Sequence, residues 1–292
     1  MRFLGELAAL GAALSWTVNS LVLERHGRGF SAWALNALTK LGGLLAVSLL
    51  ALFMQGALLP RADASQWLAL LLSGLLGFSI GDGFLYIAFQ QIGARRTLLI
   101  FAANPVLAAL LGWVFLGEAL NLLQILGILL ALLGIMTVIA GDVRAPEKAV
   151  SRTGLLFAAL AALGQAAGVL LSKLGMLDLG AVPAAQIRLV GGTLGMALIL
   201  SLLRQWRLVP PVLKSPGGRT TLAFSVLLGT LVGMVLSMQS IKLIPAAVAS
   251  VLFSLMPVMI LPISAFFLKE KVTARETLGA LVAVGGVALL FL

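Results

Sequence analysis

The sequence predicts an all-α integral membrane protein of ten transmembrane helices, arranged as two inverted five-helix repeats, and three observations carry that expectation. Of 292 residues, 61% are hydrophobic and 10% charged, and the mean hydropathy is +1.13. A soluble globule of that composition would leave far too much apolar surface in water, so the solvent is lipid. The apolar residues fall in runs of about twenty, the length that crosses a hydrocarbon core of ~30 Å at ~1.5 Å per residue. The chain also resembles itself at a fixed offset.

The spans read as Phe3 to Leu23, Ala32 to Met54, Gln66 to Phe89, Ala94 to Leu116 and Asn121 to Gly141 in the first half. In the second they read as Arg152 to Ser172, Val182 to Leu203, Thr220 to Ile241, Pro245 to Leu268 and Thr273 to Leu292. Turn and cap signals separate them, among them Gly27 and Gly29, Pro60, Pro146, the Pro210 and Pro211 pair, and Pro216 followed by Gly217 and Gly218. The first span has only Arg2 as a basic flank and runs into Asn19, Glu24 and Arg25 without a clear cleavage site, so it is expected to be a retained helix.

Shifting the sequence by 152 residues lays Gly77 on Gly229, Gly81 on Gly233, Ile92 on Ile244, Pro105 on Pro257 and Glu118 on Glu270. Gly127 and Gly134 then fall on Gly279 and Gly286, while the first two spans of each half align at a shift of 149, with Gly5 on Gly154. The repeats are therefore expected at 1–146 and 147–292. Five spans is an odd number, so the second half must insert upside down, the plan of many secondary carriers whose site lies near the midplane.

Several function classes drop out. The absence of cysteine removes disulfides, thiolate metal sites and cysteine nucleophiles, and His26 alone makes no metal cluster. No cofactor is expected. The net charge of +10 is scattered through short connections, so it points to membrane topology rather than to nucleic acid. A phosphate-binding Gly-rich loop with Lys and Ser/Thr is not found, so no ATP-driven step is expected. One histidine and one deep aspartate are a poor basis for intramembrane catalysis, and the protein is not expected to be an enzyme.

The matching residues resemble the drug/metabolite transporter superfamily of EamA type, whose members carry two such repeats. They are Leu14, Ser15 and Trp16 in the first span, Arg188 before Gly191 and Gly192 in the seventh, the prolines Pro105 and Pro257, and Leu116, Gly117, Glu118 recurring as Leu268, Lys269, Glu270. The resemblance covers essentially the whole chain and implies an EamA-like repeat in each half. It further implies a metabolite, drug or amino-acid exporter, working in a bacterial inner membrane by alternating access. The essential glutamate that small multidrug-resistance relatives carry in the first span has no counterpart beside Ser15 and Trp16, so that mechanism is not carried over.

Fourteen Lys and Arg flank the odd-numbered connections and four lie on the other side, which by itself puts both termini outside. The resemblance implies the reverse, with both termini in the cytoplasm.

Ionisable groups at membrane depth cost several kcal/mol unless paired or wet, so they mark the candidate site. Lys40 lies about 12 Å below the first connection and Asp82 about 10 Å below the third, on the same side. Asn36 sits one turn from Lys40, and Tyr86 one turn from Asp82. Arg188 lies about 9 Å from the opposite surface, with Gln165 at similar depth, which would form a second polar shelf. One reading is a wet cavity where Lys40 and Arg188 attract a carboxylate or phosphate and Asp82 accepts an amine or a coupling proton. The other is an ion pair that only holds two helices together.

Trp16 and Phe101 could wall a cavity, or pack a core. Pro105 and Pro257, with Asn104 beside the first, are expected either to kink spans four and nine as hinges around a cavity or simply to pack, and Glu118 and Glu270 to cap the helices that follow them. The expected partners are the bilayer and a small-molecule substrate. Anionic cargo, such as an organic or lipid-linked phosphate, stands as an alternative within that class, and a non-transporting membrane subunit or an intramembrane enzyme as alternatives of another class.

Overall fold

The computed structural model describes residues 3–26, 29–101, 103–141, 151–176, 178–263 and 273–290. The first repeat contains α1 (Leu4–His26), α2 (Ala32–Gln55), α3 (Ala64–Gly74), a π-helical stretch π1 (Leu75–Gly81), α4 (Asp82–Phe101), α5 (Asn104–Leu116) and α6 (Leu122–Gly141). The second contains α7 (Arg152–Gly175), α8 (Ala181–Leu202), the short α9 (Val209–Lys214), α10 (Pro216–Phe224), π2 (Ser225–Val232), α11 (Gly233–Leu243), α12 (Ala246–Phe253), α13 (Met256–Ile263) and α14 (Ala274–Leu290). No strand occurs among the described residues. The boundary expected at 146/147 lies outside them.

Local chemistry sets the helix starts. Asp63 accepts from the Gln66 N–H while the Gln66 side chain accepts from the Asp63 N–H, a capping box that opens α3. Asn121 and Gln124 make the same reciprocal pair ahead of α6. The cap expected from Glu118 is therefore filled by Asn121, three residues on, and Glu118 is free to reach elsewhere. Glu270 lies outside the described residues.

Five helical stretches, Trp33–Met54, Ala64–Leu85, Arg152–Gly175, Ala181–Leu202 and Pro216–Leu243, are long and apolar enough to cross a bilayer. Their outer faces carry large apolar side chains such as Phe53, 86% exposed, Leu198 and Leu45, a surface suited to lipid.

Two expected boundaries change. Helical hydrogen bonding runs unbroken from Asp82 to Phe101, across the gap expected between spans three and four. Gly93 keeps the N–H that Pro245, its counterpart, lacks, and the second repeat does break between Leu243 and Ala246. The path still reverses in the first repeat. Ile92 packs on Gly154 at the start of α7, whereas Asn104 donates to the Ala162 carbonyl eight residues further along the same helix. The second change concerns the prolines. The helices end at Phe101 and Phe253 and restart at Asn104 and Met256, equivalent places under the 152-residue shift. Pro105 and Pro257 each stand second in the new helix, where the missing N–H has no partner to lose, so they start helices rather than kink them.

The inversion is visible in pairs of contacts. A Cβ on Gly134 would strike Gly279 and Ala283, and one on Gly286 would strike Gly127 and Ala131. The shift of 152 converts the first set into the second. Numbers rise along α6 as they fall along α14, so the two helices cross antiparallel about a local two-fold axis. Gly5 against Ile244 and Gly154 against Ile92 repeat the relation elsewhere. Glycine at these positions lets backbones approach, which is how helices associate without a hydrophobic driving force.

Candidate functional site

Each repeat carries a π-helix at an equivalent place in its third span, and a π-turn misaligns backbone hydrogen bonding. The loosened carbonyls are met from the other repeat. Gln165 on α7 donates to the Gly77 carbonyl at 3.0 Å, and Trp16 on α1 donates through its indole N–H to the Gly229 carbonyl at 2.8 Å. Trp16 and Gln165 correspond under the 149-residue shift, as Gly77 and Gly229 do under 152. Ser15 adds a bond to the Leu228 carbonyl at 2.7 Å.

The frame repeats but the side chains do not. Around π1 stand charges. Lys40 approaches the Asp82 carboxylate at 3.7 Å, and Gln165 donates to its other oxygen at 2.7 Å. Phe78, one turn before Asp82, has the Lys40 ammonium and the Arg188 guanidinium each 4.2 Å from its ring centre. Arg188 is 4% exposed, and its Nε has no hydrogen-bond partner. Asn36 donates to the Phe78 carbonyl at 3.4 Å and faces the Met196 sulfur at 3.6 Å. Around π2 the counterpart of Asp82 is Met234, and Trp16 packs its edge on Phe253, 5.3 Å between centres.

Lys40, Asp82, Gln165 and Arg188 thus form one cluster, not the two shelves expected. Depths taken from opposite surfaces left a gap of about 9 Å in a ~30 Å core, which long side chains cross. Lys40 and Asp82 come from the first repeat, Gln165 and Arg188 from the second. Trp16 belongs to the other π-helix, with its N–H already engaged. Asn104 is buried against α7, and Pro105 is buried beside it. The side chains of Tyr86 and Pro257 lie outside the described residues.

Sequence reasoning missed Phe78, although its place one turn from Asp82 could have suggested it. It also missed a link at the even-numbered connections. Gly117, at φ +66°, turns the chain after α5 so that Glu118 leaves its own repeat. One Glu118 oxygen accepts from the Ala246 N–H at the start of α12 at 2.8 Å, and the other pairs with Lys173 at the end of α7. Lys173 also donates to the Ile244 carbonyl at 2.6 Å, and Lys242 to the Leu179 carbonyl at 2.7 Å.

An all-helical fold among the described residues, with long apolar helices and apolar outer faces, defines a multi-pass integral membrane protein. The EamA-like transporter family matches residues 3–140 and again 152–292, and the chain belongs to that family. An uncharacterized transporter, YdfC of Bacillus subtilis (strain 168), is 25% identical over 250 residues, covering 86% of this chain and 78% of that protein. A solved crystal structure superposes with a TM-score of 0.82 over 99% of this chain and 97% of the other, at 19% identity, a likeness in fold alone.

Proposed function

We propose that the protein is a secondary-active carrier that moves a small metabolite across the bacterial inner membrane by alternating access, with repeats 1–146 and 147–292 rocking about the Lys40, Asp82, Gln165 and Arg188 cluster. The observation that carries this reading is the sharing of that cluster between repeats, because a relative movement of the halves then remakes the site itself. Interrupted helices in both repeats support it, since irregular backbone at membrane depth is tolerated where it is buried in protein or lines a cavity. The Glu118 and Lys173 link supports it too, as a tie between halves on one side of the membrane that opening on that side would break. Asp82 is the carboxylate of the cluster and the group suited to exchange a coupling proton.

Reconstituted protein in liposomes tests the proposal with a panel of labelled amino acids, amines, sugar phosphates and organic anions, with and without a pH gradient. Saturable flux is expected in the wild type and its loss in Arg188→Ala. Gradient-driven flux that becomes gradient-independent in Asp82→Asn would assign the proton to that carboxylate. Flux of no compound, from protein that remains folded by circular dichroism, would sink the carrier reading.

A further inference from the structure

We infer that the Arg188 guanidinium, with Lys40 beside it on the Phe78 ring, is the subsite for an oxyanion group of the cargo, a carboxylate or a phosphate. The inference rests on the cluster being the cargo site and names the chemical class that it takes.

The argument is one of charge and of unused hydrogen-bonding capacity. Among the described residues two cations and one carboxylate meet at membrane depth, and the carboxylate is committed to Lys40 and Gln165. Arg188 is left facing an aromatic ring, which attracts a cation but does not neutralise it. Its Nε has no partner, in a side chain that is only 4% exposed. A guanidinium offers five donors in a planar fork that matches the two oxygens of a carboxylate or phosphate. Leaving a buried donor unpaired is costly, and a bound oxyanion relieves both the missing bond and the excess charge.

A Cβ on Gly77 would lie 3.1 Å from Arg188 Nη2, and one on Gly168 would lie 3.3 Å from it, so two glycines, one from each repeat, let that end of the fork sit close against their backbones at the junction of the halves. Lys40 and Asp82, with side chains 14% and 21% exposed, form the more open edge of the cluster, through which an anion would reach Arg188. An amine would meet the reverse situation, with two cations opposing it and its one carboxylate already engaged.

The test uses full-length protein in detergent at fixed ionic strength, with chloride as the reference anion, and reads the melting temperature against increasing benzoate, inorganic phosphate or ethylammonium. The expected result is a saturable rise with benzoate, phosphate or both, the pair separating carboxylate from phosphate chemistry. Arg188→Lys, which keeps the charge but loses the fork, is expected to weaken the apparent affinity about tenfold or more. Asp82→Asn, which removes the competing carboxylate, is expected to strengthen it, a direction that mere structural damage does not produce. A rise with ethylammonium instead, no rise beyond chloride, or equal affinity in Arg188→Lys would overturn the subsite. Failure of the carrier reading is distinguished by the liposome assay, because binding in detergent requires no flux.

Discussion

Glu118 and Lys173 pair across the two repeats, from the end of α5 to the end of α7, and the same carboxylate holds the first N–H of α12. Both side chains are mostly buried, at 15% and 21% exposure, so the pair is shielded from the screening that makes surface ion pairs nearly neutral. A double-mutant cycle with Glu118→Gln and Lys173→Met is expected to give a coupling of about 1–3 kcal/mol in thermal or denaturant unfolding. If the pair also ties that side shut, each single variant should raise maleimide labelling of a cysteine placed at Ser172, in a chain that has no native cysteine. Additive unfolding energies with unchanged labelling would reduce the pair to an incidental contact.

The two donors to the π-helices should behave alike. Trp16→Phe removes the indole N–H from the Gly229 carbonyl and keeps an aromatic ring against Phe253. The unpaired carbonyl should cost about 1–3 kcal/mol. Gln165→Leu should cost at least as much, because it strips a donor from both the Gly77 carbonyl and Asp82. Melting temperatures of the two variants in detergent check this, and stability equal to wild type in Trp16→Phe would mean that another donor replaces the indole.

Much of this architecture was legible in the chain. Span positions follow from apolar run length, and the equivalence of α6 and α14 follows from glycines that recur at one offset, whereas their packing against each other does not. The convergence of Arg188 with Asp82 was not legible, because depth counted along separate helices says nothing about rotation around their axes. The same holds for Glu118, whose position before a span suggested a cap. Its partner is fixed by the turn at Gly117 and by the neighbouring repeat, and Asn121 with Gln124 already had the capping chemistry three residues later. The π-helices carry no residue signature of their own, although Gly77 and Gly81 matching Gly229 and Gly233 marked the segments as equivalent.

Glycine substitutions should separate packed seams from the lipid face. A Cβ at Gly74 would collide with the Arg188 carbonyl, which is backbone and cannot step aside, so Gly74→Ala is expected to destabilise by about 2–4 kcal/mol and to disturb the cluster. Gly285 has nothing within 4 Å, and Gly285→Ala should be neutral or stabilising by up to about 1 kcal/mol. Unfolding of both variants in the same detergent decides it, and similar losses in the two would contradict the packing described.

The cap on α3 gives a pH dependence of known sign. The Gln66 N–H and the Ser65 hydroxyl hold the Asp63 carboxyl below the usual carboxylate range. A depressed value means that the cap contributes fully above the unfolded carboxylate pKa, about 4, and is lost as pH falls through the lower folded value. Amide exchange at Gln66 should therefore quicken relative to the rest of α3 in acid. Asp63→Asn, which keeps an accepting oxygen without the charge, should abolish that response, and a wild-type profile flat down to pH 2 would refute the assignment.

The seam between α6 and α14 meets itself. Exchanging the halves returns the same contacts, Gly134 with Ala283 for Gly286 with Ala131, so it has the form of an isologous dimer interface within a single polypeptide. A lone first half would present at α6 a patch complementary to a second copy of itself in the opposite orientation. The segment joining the repeats is then a tether that raises the local concentration of two surfaces already shaped to close on one another, and it fixes the stoichiometry of the pair without creating the fit.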